Sequence, residues 1–166
     1  SLLMIFAIPW QEAVFLPGLG TAGRLVGLLA AAAWVVTVVL TYKIRRITAL
    51  HILFFVFFFW NAASILWSWN PEKTFDRMFV YIRMAGMLLV IWDVYDSSQD
   101  IQAGLQVYLL GVYIQIGSIF YNFVLGAETV YGRFSATGNN ANNSGLIIAL
   151  AMPIAWYLAA TYRQSL

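Results

Sequence analysis

Apolar residues run through this chain in long blocks, and the polar ones gather in the short stretches between them. Blocks of about 17 to 23 residues are twice the length of a barrel strand and match a helix crossing a hydrocarbon core of about 30 Å. Residues 2–9 read as the tail of one spanning helix that ends near Pro9. Residues 10–23 carry Pro17, Gly18, Gly20 and Gly23 and predict a loop with tight turns, with Trp10 suited to an interfacial anchor. Full spans are expected over about residues 24–41, 49–69, 77–95, 102–125 and 143–162, the last interrupted by Pro153. Pro71 closes the 49–69 span, because a residue before proline avoids helical geometry. The fold class that follows is all-α: a polytopic transmembrane helical bundle with five full spans plus part of another, in a single transmembrane domain over residues 1–166. Strand pairing is not expected in the hydrocarbon region, where lipid offers backbone groups no partner outside a helix or closed barrel.

Composition fits the same solvent. Hydrophobic residues make up 62% and charged residues 10% of the chain, against roughly 25% charged in ordinary globular proteins. The lipid bilayer is therefore the first partner. The net charge of +2 hides a cluster, Lys43, Arg45 and Arg46, in one short loop. Basic loops stay in the cytoplasm, so alternation puts residues 10–23, 70–77 and 126–142 outside and residues 96–101 and Arg163 inside. There is no cysteine and a single histidine, His51, which argues against a disulfide framework, a thiolate site or a zinc centre. No cofactor or metal is expected, and nothing marks a nucleic-acid partner. With Ser1 in mid-block and Leu166 just past a helix, the chain is expected to be the N-terminal part of a longer protein, without a cleavable signal peptide.

The densest chemistry lies in Tyr131-Gly132-Arg133-Phe134-Ser135-Ala136-Thr137-Gly138-Asn139-Asn140-Ala141-Asn142-Asn143-Ser144-Gly145. An arginine precedes an asparagine-rich run that opens directly into an apolar helix. Asn and Ser cap helix starts, helix N-termini attract anions, and a guanidinium fork matches phosphate oxygens. Together they can cradle a pyrophosphate at the outer face. The same residues also describe an ordinary polar loop ending in a well-capped helix.

This motif, continuing into Leu-Ile-Ile-Ala-Leu-Ala-Met-Pro, resembles the O-antigen ligase and O-antigen polymerase superfamily of membrane glycan ligases and polymerases. Leu66-Trp67-Ser68-Trp69-Asn70-Pro71-Glu72-Lys73-Thr74 is similar to that family's Trp-Ser-x-x-Pro-Glu segment. The opening, Pro9, Pro17-Gly18 and Arg24-Leu25, is similar to its first loop. One departure is Ala141, where the family often has proline between the two asparagines. The resemblance implies a C-type glycosyltransferase architecture in a bacterial inner membrane. It implies transfer of a glycan from an undecaprenyl-pyrophosphate carrier to an acceptor: lipid A-core, a growing polysaccharide or a protein. On that analogy Arg133 contacts the carrier pyrophosphate, Asn140 and Asn142 shape the helix end, and catalytic groups lie in a later outer loop beyond this chain, which alone would be inactive. A transporter of a small anion such as bicarbonate, within the same superfamily, is the alternative.

Arg83 is the other candidate substrate-binding residue. It lies about six residues into its span, roughly 9 Å at 1.5 Å per residue, where an intramembrane charge costs a few kcal/mol. Either a carrier-phosphate contact or a structural role is open, the latter by pairing with Asp76 or snorkelling to the outer interface. His51 is expected at the inner interface, and Arg24 at the outer side, against anionic headgroups or substrate, with headgroup anchoring preferred. Asn61, Ser64, Gln106, Gln115, Ser118 and Asn122 read as interhelical glue, Gly104, Gly111 and Gly117 as points of close helix approach, and Phe54 to Phe59 as lipid-facing or packing surface.

Overall fold

Side-chain caps mark the starts of several of the long helices. The computed structural model describes residues 2–16, 20–127 and 132–164. Pro17 and Gly18 of the expected first loop, and Tyr131 beside Gly132, lie outside the described residues. A short α1 (Leu2–Ala7) continues as a 3-10 turn over Ile8–Trp10. Then come α2 (Ala22–Thr41), α3 (Ala49–Ala63), α4 (Pro71–Val94), α5 (Ser98–Val124) and α6 (Ala141–Gln164). A two-residue ladder in the loop before α2 pairs β1 (Phe15–Leu16) with β2 (Gly20–Thr21) antiparallel, outside the apolar helices.

Four segments are long and apolar enough to cross a membrane: Gly23–Thr41, Ala49–Trp67, Ser98–Val124 and Ala141–Arg163. In the first of these, 0% of the apolar window is buried within the protein. That much exposed apolar surface suits lipid and not water. The α4 helix falls outside the four, although residues 77–95 are expected to span. It opens earlier, at Pro71, where a missing amide costs nothing, and Asn70 Oδ1 accepts the Lys73 amide at 3.1 Å. Its Arg77, Arg83 and Asp93 interrupt the apolar run.

Two further expectations change. The polar segment at 96–101 belongs largely to α5, because Ser97 Oγ accepts the Asp100 amide at 3.0 Å and starts the helix there. Pro153 does not interrupt α6, which runs helical through it. A proline removes one backbone hydrogen bond, and spanning helices absorb that loss locally.

The chain divides into two compact units. In the first, residues 1–30 and 95–166, α1 and its 3-10 turn lie against α5 at two glycines. A side chain at Gly104 would meet Tyr95 and Ile5, and one at Gly111 would meet the Phe6 carbonyl and Pro9. Two helical turns separate them on one face. A side chain at Gly117 would meet nothing, so the expectation of close approach holds for two glycines and fails for the third. The Gln106 side chain donates to the Tyr162 hydroxyl, tying α5 to α6.

In the second unit, residues 31–94, the basic loop is held by α4. Asp93 accepts the Arg45 amide and the Trp34 indole N–H, each at 2.7 Å. Arg45 donates to the Trp92 carbonyl at 3.1 Å and stacks 4.1 Å from that indole's centre. His51, expected at the interface, is 1% exposed. Its ring meets Trp92 edge-on at 5.1 Å, and its Nδ1 accepts the Thr48 amide at 3.3 Å.

Candidate functional site

The N-terminus of α6 is set by Asn140, whose Oδ1 accepts the Asn143 amide at 2.8 Å while its carbonyl accepts the Ser144 amide at 3.0 Å. This is an asparagine cap as the residue type predicts. The preceding loop is fixed to the same helix end. Ser135 Oγ donates to the Asn139 carbonyl at 2.7 Å, and Ser144 Oγ accepts the Ala136 amide at 3.3 Å. Asn143 donates from its side chain to Asn139 Oδ1 at 2.6 Å. Ser135, Asn139 and Ser144 are all buried, so these bonds replace water and make the loop conformation specific.

A second set of bonds fixes the loop to α5. Asn122 Nδ2 donates to the Ser135 carbonyl at 2.8 Å, and the Thr137 amide donates to Ser118 Oγ at 3.0 Å. Gly138, at φ +80°, takes a left-handed turn. It backs so closely onto the Glu12 carbonyl that a side chain would collide with it. Phe134 packs edge-on against Phe123 at 5.0 Å. Arg133 and Asn142 remain exposed. Across this frame the Arg133 guanidinium donates from Nη1 to Asn142 Oδ1 at 3.3 Å.

Arg133, Asn140 and Asn142 are therefore brought together at one helix end. Asn140 caps the backbone, whereas Asn142 turns its oxygen to the arginine. The amides of Ala141 and Asn142 carry no hydrogen bond among the described residues. Two amides at a positive helix end beside a guanidinium can hold an anion.

Arg83 belongs to the second unit, exposed on α4, and donates from Nε to the Phe79 carbonyl at 3.2 Å. Of the two structural alternatives, no Asp76–Arg83 ion pair forms among the described residues, and the side chain reaches back along the helix toward its N-terminal end. The intramembrane polar residues divide in the same way. Gln106, Ser118 and Asn122 join separate segments, while Asn61 and Ser64 bond within their own helix region, at 2.7 Å to the Phe57 carbonyl and 2.6 Å to the Asn61 carbonyl. Gln115 is fully buried, with neither amide atom bonded.

Residue chemistry alone passes over Asp93. A carboxylate inside an apolar block is the signal that marks it. It likewise passes over Ser135, Asn139 and Ser144, whose burial depends on the loop's path.

Helices of this length and apolarity define a helical membrane protein in a lipid bilayer environment. Compared with known proteins, the chain matches no family model, no curated protein and no solved structure.

Proposed function

We propose that the full-length protein transfers a glycan from a polyprenyl-pyrophosphate carrier to an acceptor such as lipid A-core, a growing polysaccharide or a protein. Transfer would occur at the outer face of a bacterial inner membrane, within a C-type glycosyltransferase fold in which α4 is the fifth full span. At 24 residues, α4 is about 36 Å long at 1.5 Å per residue, long enough to cross with tilt. The observation that carries the reading is the Arg133–Asn142 contact beside the Asn140 cap. It joins the arginine and asparagines of the O-antigen ligase-like motif at one anion-attracting helix end.

In the transfer, an acceptor oxygen bonds to the anomeric carbon as the bond from that carbon to the pyrophosphate oxygen breaks. Negative charge then grows on the departing pyrophosphate. Arg133, with the Ala141 and Asn142 amides, would bind and neutralise that group, which is where preorganised donors lower a barrier. Asn140 holds the helix end, and Asn142 orients the guanidinium. The groups that activate the acceptor would lie in the later outer loop that the resemblance implies. Glycan transfer by full-length Arg133 variants in membranes, at matched protein levels, tests the reading.

A further inference from the structure

A second donor-rich place lies in the second unit, where the end of α3, its 3-10 continuation over Ser64–Trp67 and the start of α4 border an open cleft. Its volume is about 240 Å³, and Asn61, Ser64, Lys73, Thr74, Arg77 and Tyr81 line it together with the apolar Met78. That is smaller than the roughly 300 Å³ at which drug-sized sites begin, so the room suits a headgroup and not an oligosaccharide.

The donor inventory points to an anion. Lys73 and Arg77 stand one helical turn apart, a spacing at which like charges repel. No carboxylate lines the cleft, and neither cationic side chain has a hydrogen bond or ion pair among the described residues. The hydroxyls are spent on the protein itself: Ser64 Oγ donates to the Asn61 carbonyl at 2.6 Å and Thr74 Oγ1 to the Asn70 carbonyl at 3.1 Å. That leaves the ammonium, the guanidinium, the Tyr81 hydroxyl and the second Asn61 amide proton with no acceptor among the described residues, open to a ligand from the surface. Tyr81 is steadied by Phe57, ring centres 5.8 Å apart. An oxyanion with several acceptor oxygens meets this demand, and a neutral ligand does not.

The level of the cleft narrows the ligand. Trp60 and Trp67 sit at the same end of α3, rings 6.2 Å apart, and both are more than half exposed. Indoles gather at the membrane–water interface, the depth of lipid phosphates. We propose that this cleft binds a phosphate group at the membrane surface, carried by an anionic lipid headgroup or present as a free phosphate or pyrophosphate. The proposal stands apart from glycan transfer and from Arg133.

The full-length protein in detergent is titrated with a short-chain phosphatidic acid, with phosphatidylcholine of the same chain length, and with inorganic pyrophosphate, following tryptophan fluorescence. Phosphatidic acid is expected to bind more tightly than phosphatidylcholine. Binding by that lipid alone assigns the site to headgroups. Binding by pyrophosphate that Lys73→Gln or Arg77→Gln weakens, alone or in competition with the lipid, assigns it to the free anion. Lys73→Gln and Arg77→Gln should each weaken binding about tenfold, the equivalent of about 1.4 kcal/mol, while Arg163→Gln should leave it unchanged. In the unmodified protein the bound anion should also protect Lys73, but not Lys43, from acylation by an amine reagent. This readout does not depend on a variant folding. Equal binding of the two lipids with no pyrophosphate binding would overturn the proposal, as would unaltered affinity in folded variants or unprotected Lys73.

Discussion

Arg45 and Asp93 lie 48 residues apart, yet the Arg45 amide donates to Asp93 Oδ1 at 2.7 Å. The other carboxylate oxygen takes the Trp34 indole N–H at 2.7 Å. One acidic side chain near the end of α4 thus holds the basic loop and α2 together, in an apolar setting where such a charge is costly without partners.

Asp93→Ala is expected to leave both donors without an acceptor and to destabilise the protein by about 1–3 kcal/mol. Asp93→Asn keeps one acceptor oxygen and should lose less. Thermal unfolding in detergent measures both. An Asp93→Ala protein as stable as the parent would mean that the loop is held by other contacts.

Arg133→Ala should reduce glycan transfer by about 10- to 150-fold, the loss of one charge-assisted contact of roughly 1.5–3 kcal/mol. Arg133→Lys should be nearly as harmful, since an ammonium cannot reproduce the guanidinium fork. Substitution of Arg163 should be mild. Normal transfer by Arg133→Ala would take this residue out of the site.

Gly111→Ala and Gly117→Ala form a matched pair on α5. The first places a methyl against the Phe6 carbonyl and Pro9, whereas the second meets nothing. Overpacking costs about 1–3 kcal/mol, so the first should lower the unfolding temperature and the second should leave it unchanged or raise it. Equal effects would show that α1 does not pack on α5 through Gly111.

Cysteines placed at Arg45 and at Ser135 should be labelled by an impermeant reagent from opposite sides of the membrane, Arg45 from the cytoplasm. The basis is the basic cluster Lys43, Arg45 and Arg46 and the preference of such loops for that side. Ser135 is buried, so a cysteine at the exposed Thr137 of the same loop serves as the accessible counterpart. Labelling from one side only would reverse the assignment of the 126–142 segment to the outer face.

The apolar blocks were sufficient to read a helical membrane protein, because lipid forces every backbone group to be satisfied within a helix. Asn140 as a cap was legible for a related reason: capping is a local matter between a side chain and amides two or three residues away. The starts of α4 and α5 lie several residues earlier than expected because Asn70 and Ser97 cap before the apolar runs begin.

What lies beyond local chemistry needed the tertiary structure. Nothing near Asp93 in the chain shows that its partners are Trp34 and Arg45, and nothing near Gly138 shows that it abuts Glu12. Gly104, Gly111 and Gly117 look alike in sequence, but only two face α1 and its turn. His51 looked interfacial and is buried against Trp92, a residue from another helix. In each case the deciding neighbour is distant along the chain, and burial depends on which segments fold against one another, information that periodicity and composition do not carry.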